Sequence, residues 1–265
     1  MKGVLLAGGT GSRLYPLTRI TNKHLLPIWD RPMIAWSIEA LVKAGIDEIM
    51  LVTGGPHAGS FLPLLGNGHE FGIDRLSYGY QERAGGIAEA LGLAERFVDG
   101  DPVLVMLADN VMERSIKPMV DAFRTDPHGA RILLTAVSEP EHLRHLGVPV
   151  LSDDGRVQRI EEKPDVPASN FGVTGIYCYD ADVFGVIPTL TPSGRGELEI
   201  TDVNNHYIEQ GQMAYDVLEG FWGDAGESIE AYYAVNDFVR ANGANGTTLA
   251  KRADVTGGTE RPKGA

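Results

Sequence analysis

A single cysteine in 265 residues removes two classes of explanation at once. One thiol can neither close an internal disulfide nor build a cysteine-rich zinc site, so the fold has to rest on packing. Basic residues are scarce as well: 23 Lys and Arg stand against 36 Asp and Glu, a formal charge of −13, the wrong sign for a protein that tracks nucleic acid. Long apolar runs are missing too. Stretches such as Ile49–Val52 and Val103–Ala108 fall far below the ~18 residues that a bilayer span needs. The opening Met1–Gly9 carries one lysine and an apolar stretch too short for a signal peptide. These absences lead us to expect no nucleic-acid partner, no membrane association and a cytoplasmic location.

What is present is alternation. Val4–Ala7 reads as a first strand closed by Gly8-Gly9, and Arg31–Ala44 follows with apolar residues at helical spacing. The pattern then predicts strands over Glu48–Thr53, Leu76–Gln81, Pro102–Ala108 and Arg131–Val137. Helices are predicted between them near Ala58–Leu65, Ile87–Phe97 and Ile116–Arg124. Apolar strands alternating with amphipathic helices predict a largely parallel sheet covered on both faces. After Pro140 the pattern changes to a hairpin, Gly147–Leu151 and Arg156–Glu161, around an Asp-Gly turn. A strand over Val173–Tyr179 follows, then helices near Ala181–Ile187 and Glu199–Gln210, a strand over Met213–Leu218 and a last helix from about Ser228 to Ala241. The second half is thus α+β. Residues 243–265, poor in large apolar side chains, predict a flexible tail that includes the glycosylation-like triplet Asn245-Gly246-Thr247.

Between the first strand and the next element lies Gly8-Gly9-Thr10-Gly11-Ser12-Arg13-Leu14. Backbone N–H groups in such a turn can hold phosphate oxygens. Leu14 stands where a dinucleotide fingerprint needs glycine, and no Gly-Lys-Ser/Thr follows as a Walker loop requires. Instead Arg13, a planar fork of donors, and Lys23 flank the turn as phosphate-seeking cations. Asp109 ends an apolar strand and is a candidate Mg²⁺ ligand. Gln81, also at a strand end, offers an amide donor and acceptor that match the edge of thymine or uracil.

The stretch Leu5–Thr18 together with Asn22-Lys23-His24-Leu25-Leu26-Pro27-Ile28 resembles the signature of the sugar-1-phosphate nucleotidyltransferases. Within them it looks most like the glucose-1-phosphate thymidylyltransferases. Further blocks recur in order: Leu107-Ala108-Asp109-Asn110, Ile160–Pro164, Val173–Tyr177 and Arg195–Asp202. The resemblance spans roughly residues 1–240 and implies an α/β fold: a Rossmann-like α/β/α sandwich with a mostly parallel mixed central sheet. It implies one nucleotidyltransferase domain over 1–242, with a nucleotide-binding core of about 1–138 and an α+β sugar-binding part of about 139–242.

The implied reaction moves a nucleotidyl group from dTTP to glucose 1-phosphate with Mg²⁺ as cofactor, in an enzyme that is a homo-oligomer. Arg13, Lys23, Lys163 and Asp109 would carry the chemistry, and Asp109 and Asp224 the metal. The nucleotide would lie on Gly8, Gly9, Gly11, Ser12, Arg13, Lys23, Gln81, Gly86 and Asp109. The sugar phosphate would lie on Asn110, Gly147, Glu162, Lys163, Val173 and Thr174. Two departures stand out: His24 where these enzymes commonly have Gln, and Gly147-Val148-Pro149-Val150 in place of Gly-Val-Val-Glu. A UTP-dependent transferase and a non-catalytic nucleotide-sugar sensor stay open as alternatives.

Overall fold

The computed structural model describes residues 1–247. Its centre is a seven-stranded sheet in the order Met213–Leu218, Ala130–Ala136, Phe171–Tyr179, Val103–Leu107, Lys2–Ala7, Glu48–Gly54 and Arg75–Gln81. Phe171–Tyr179 runs antiparallel to both of its neighbours, and every other pair is parallel. The sheet is therefore mixed and mostly parallel, as the sequence predicts.

Period-two alternation divides the core between the two faces. Val4 and Leu6 pack on one side with Ala88, Leu91, Val183, Ile200, Val203 and Tyr207. Leu5 and Ala7 pack on the other with Ile34, Ile38, Leu41, Phe61, Met119 and Phe123. Helices thus cover both faces, the α/β/α layering. A third cluster, Leu14, Ile28, Met33, Trp36, Val111, Tyr232 and Val235, clamps the final helix Ile229–Asn242 against the N-terminal loops. Ala225 belongs to the same cluster, which brings the loop before the final helix up to Lys23 and Asp109.

Several boundaries differ from the sequence reading. The helix predicted over Ile87–Phe97 divides into Ile87–Gly92 and Glu95–Val98, with the interruption following Gly92, the poorest helix former of that segment. Asn110–Met112 and Trp222–Asp224 form an unpredicted antiparallel pair. Residues 243–247 do not belong to a tail: Asn245 is buried, its side-chain amide donates to the Trp36 carbonyl at 2.9 Å, and its backbone N–H bonds Met112. With that amide held in the core, the triplet is no exposed glycosylation acceptor. The rest of the predicted tail, residues 248–265, lies outside the described residues.

Candidate active site

The candidate residues gather where parallel strands end at their carboxyl termini, the place where open α/β sheets collect ligands. Lys2–Ala7 leads into the glycine turn, Arg75–Gln81 ends on Gln81, and Val103–Leu107 runs through Ala108 into Asp109. The turn is shaped locally. Gly11 sits at φ +63°, a conformation that favours glycine, and its carbonyl accepts from the Thr18 hydroxyl at 2.8 Å. Ser12–Leu14 then winds one 3₁₀ turn that projects Arg13 toward the cleft.

A cleft of about 330 Å³ lies over these ends. Of the predicted nucleotide residues, Gly8, Gly9, Arg13, Lys23, Gln81, Gly86 and Asp109 line it. Gly11 and Ser12 shape the turn without lining the cleft. Of the predicted sugar residues, Glu162 and Lys163 line it, as does Asp224. Asn110 is buried beside Asp109, its Oδ1 accepting from Trp222 Nε1 at 2.6 Å and from the Gly175 N–H at 3.2 Å. Gly147 pairs with Glu162 across the hairpin, and Val173 packs into the core. The fully buried Thr174 donates its hydroxyl to the Leu133 carbonyl at 2.8 Å, so that side chain serves the sheet and leaves the cleft wall to others.

At the base of the cleft Lys23 Nζ meets Asp109 Oδ2 at 2.5 Å. Asp224 joins them because Trp222–Asp224 pairs with Asn110–Met112, which sets Asp224 opposite Asn110, while the Ala225 N–H donates to the Asp109 carbonyl at 2.9 Å. Ser228 caps the final helix by accepting from the Ala231 N–H, so Asp224 is not needed there. Asp224 Oδ1 accepts from the Gly226 N–H at 2.7 Å. A methyl group on Gly226 would stand 2.6 Å from Asp109 Oδ2 and 2.7 Å from Lys23 Nζ, so the close approach of the three groups needs glycine here.

Burial disfavours each charge in this trio, and the trio's own fields decide the outcome. Burial lowers Lys23, but Asp109 and Asp224 outweigh it and hold the ammonium above its ordinary pKa. Burial likewise raises Asp109, but the charge of Lys23 and its hydrogen bond outweigh it and hold the carboxyl well below the usual range. Asp224, left with burial first and the Asp109 charge second, is pushed up to about 7. One lysine thus compensates one carboxylate and leaves the other wanting a cation.

The opposite end of the cleft is a surface charge network. Glu162 contacts Lys163 Nζ at 3.1 Å and Arg195 at 3.6 Å, and its other oxygen accepts from the Thr201 hydroxyl at 2.6 Å. Lys163 adopts φ +48°, a left-handed conformation that costs a non-glycine residue about 1–3 kcal/mol and that clusters at functional sites. Arg195 stands inside one of the recurring blocks but is not among the predicted site residues, since an arginine among Glu197 and Glu199 reads in sequence as solvated surface. It lines the cleft with both of them. His24, which stands out in the sequence as a departure from the resemblance, lines the base of the cleft beside Lys23 and is buried, with its Nδ1 2.8 Å from Asn22 Oδ1.

A glycine turn, cations and paired carboxylates at the strand ends of a mostly parallel sheet define an α/β enzyme that handles phosphates. The comparison with known proteins narrows this: the model of the Nucleotidyl transferase family matches residues 2–242, and the chain belongs to that family of enzymes. It is 43% identical over 244 residues to a glucose-1-phosphate thymidylyltransferase of an Actinoplanes species, covering 91% of this chain and 78% of that one. It is 40% identical to the enzyme of the same name from Neisseria meningitidis, covering 91% and 83%. A crystal structure from Bacillus anthracis, described as a glucose-1-phosphate thymidylyltransferase in complex with sucrose, superposes with a TM-score of 0.85 at 46% identity, over 91% of this chain and 95% of that one. A UDP-glucose pyrophosphorylase shares the fold at TM-score 0.80 and 23% identity, covering 90% and 98%.

Proposed function

We propose that the protein is a Mg²⁺-dependent glucose-1-phosphate thymidylyltransferase, converting dTTP and α-D-glucose 1-phosphate into dTDP-glucose and pyrophosphate. The observation that carries this reading is the convergence of Lys23, Asp109 and Asp224 at the base of a cleft that also takes Arg13, Lys163 and Arg195. In the reaction an oxygen of the sugar phosphate forms a bond to the α-phosphorus of dTTP as the bond to the pyrophosphate oxygen breaks. No protein nucleophile is required; catalysis is positioning and charge neutralisation. Arg13 and Lys23 bind the triphosphate and the departing pyrophosphate. Lys163, with Arg195 beside it, holds the sugar phosphate, while Glu162 accepts from sugar hydroxyls and Asn110, Gly147 and Val173 shape the sugar's surroundings.

The residues present fit a divalent cation. Four cationic side chains in the cleft wall face five carboxylates, a balance that two polyanionic substrates would tip far negative. Mg²⁺ is commonly held by one or two carboxylates plus substrate phosphates, and Asp109 and Asp224 would supply them. Bound there, Mg²⁺ would neutralise charge on the phosphates. Asp109→Asn should abolish most pyrophosphate release, and full activity in that variant would overturn its assignment.

The nucleotide-binding core of about 1–138, the sugar-binding part of about 139–242, a cytoplasmic setting and a homo-oligomer belong to the same proposal. No helix among the described residues is long and apolar enough to cross a membrane. UTP is the natural competitor, because uracil and thymine present the same N3–H to Gln81. The test is pyrophosphate release across nucleoside triphosphates and hexose 1-phosphates with Mg²⁺. A maximum at dTTP with glucose 1-phosphate supports the proposal, a maximum at another pair overturns the specificity, and silence throughout overturns the activity. Sedimentation at the mass of one chain would overturn the oligomer.

A further inference from the structure

The Gln81 side chain has an orientation that its neighbours enforce. Its Nε2 donates to the Gly86 carbonyl at 3.1 Å and to Glu89 Oε1 at 3.2 Å. Amide oxygen and nitrogen are told apart by the network around them, and here both partners only accept: a main-chain carbonyl and a carboxylate. The NH₂ group must face them, and both of its protons are engaged. Oε1 is thereby left on the opposite side, 3.4 Å from the position a Cβ on Gly8 would take, where Gly8 and Gln81 line the cleft. Gln81 therefore presents the base with an acceptor alone, although a free carboxamide could present either edge.

We infer that Glu89 is a positioning residue for base selection: its carboxylate holds the Gln81 amide so that the cleft reads a ring N–H and rejects a ring acceptor. Thymine and uracil carry N3–H, whereas N3 of cytosine is an acceptor that would face Oε1 lone pair to lone pair. Glu89 does not line the cleft and acts through Gln81. Its reach depends on Gly85. A methyl group there would stand 2.1–2.2 Å from all three carboxyl atoms of Glu89, so any side chain at 85 must push the carboxylate aside. Arg83, 3.3 Å from Glu89 Oε2, steadies the outer oxygen from the solvent side. Glutamine at 89 would leave the Gly86 carbonyl as the remaining constraint, since its own amide can donate to Gln81 Oε1 and offset part of the cost of the flipped rotamer.

The inference rests on the pyrimidine triphosphate reading of the cleft, and the experiment separates the two. Binding of dTTP, UTP and CTP is measured by calorimetry, and the KM for glucose 1-phosphate by turnover, in the wild type, Glu89→Gln and Gly85→Ala. The wild type should favour dTTP and UTP over CTP. Both variants should narrow that ratio by about tenfold, the scale of one hydrogen bond to a charged group, with the KM for glucose 1-phosphate held within about twofold. A ratio unchanged in both variants overturns the role of Glu89. Equal losses for nucleotide and sugar phosphate overturn it in favour of a structural role. A wild type that binds no pyrimidine triphosphate overturns the underlying reading of the cleft instead, whatever the variants do.

Discussion

The two ends of the cleft hold opposite charges in close pairs, yet they are built from different physics. At the base, Lys23 and Asp109 have side chains only 11% and 8% exposed, with Asp224 beside them. At the rim, Arg195 is 47% exposed where it meets Glu199, itself 13% exposed, and Lys163 is 40% exposed where it meets Glu162 at 32%, so each rim pair has its cation in water. Water screens the rim pairs, so each can exchange its carboxylate for an incoming phosphate at little cost. It screens the base pair far less, and there removing either charge strands the other in a poorly solvated site. The base is thus fixed before substrate arrives, while the rim can rearrange around it.

The largest expected effect comes from breaking the base. Lys23→Met removes the one cation that compensates Asp109 and leaves two buried carboxylates facing each other. Stability in urea should fall by about 3–5 kcal/mol, and pyrophosphate release should be lost. Added Mg²⁺ should restore part of the stability, because a cation at Asp109 and Asp224 replaces what the lysine supplied. A variant within about 1 kcal/mol of the wild type, with or without Mg²⁺, would show that the base and rim do not differ in kind.

The same contrast explains what was legible in the sequence. The glycine turn and Asp109 were readable because each follows an apolar strand that fixes the direction of the chain after it, and Arg13 and Lys23 were readable as the cations that flank that turn. The sheet was readable for the same reason, in the run of uninterrupted apolar strands. Asp224 was placed through the resemblance alone: it reaches Asp109 through a three-residue strand pair between segments about a hundred residues apart, too short to leave a periodic signal. Thr174 too was placed through the resemblance; its strand is buried on both faces, where no alternation in exposure marks a cleft-facing side, and its hydroxyl is engaged by the Leu133 carbonyl. Asn245 was misread because a short polar segment anchored by backbone and side-chain hydrogen bonds looks in composition like a tail.

A middle-sized effect should appear just behind the base. Burial first, and the neighbouring Lys23 charge second, push the His24 imidazole down to about 3 from its ordinary 6.5. The neutral ring donates through Nδ1 to Asn22 Oδ1. Below 6.5 the unfolded chain binds a proton at this position that the folded chain refuses. The contribution of His24 is therefore complete above pH 6.5 and declines as the pH falls toward about 3, by about 1.4 kcal/mol for each pH unit in that window. His24→Gln should flatten the stability profile between pH 6.5 and 5 relative to the wild type. Parallel profiles for the two proteins in urea titrations would show that the imidazole is not held neutral there.

The smallest effect on stability belongs to the rim. Arg195→Gln removes a half-exposed cation from a network in which the mostly buried Glu199 keeps the Ser193 hydroxyl at 2.7 Å and Glu162 keeps Lys163 and Thr201. Urea stability should change by less than about 0.5 kcal/mol, as for most surface substitutions. The KM for the sugar phosphate should rise by about tenfold, because a charge-assisted bond to phosphate is lost while the Ser193 hydroxyl still bonds Glu199. If stability fell as far as in Lys23→Met, the arginine would have to be a buried structural partner, and the exchange of rim carboxylates for phosphate would lose its basis. If KM and stability both stayed fixed, Lys163 alone would hold the sugar phosphate and Arg195 would serve only to shape the loop around Glu199.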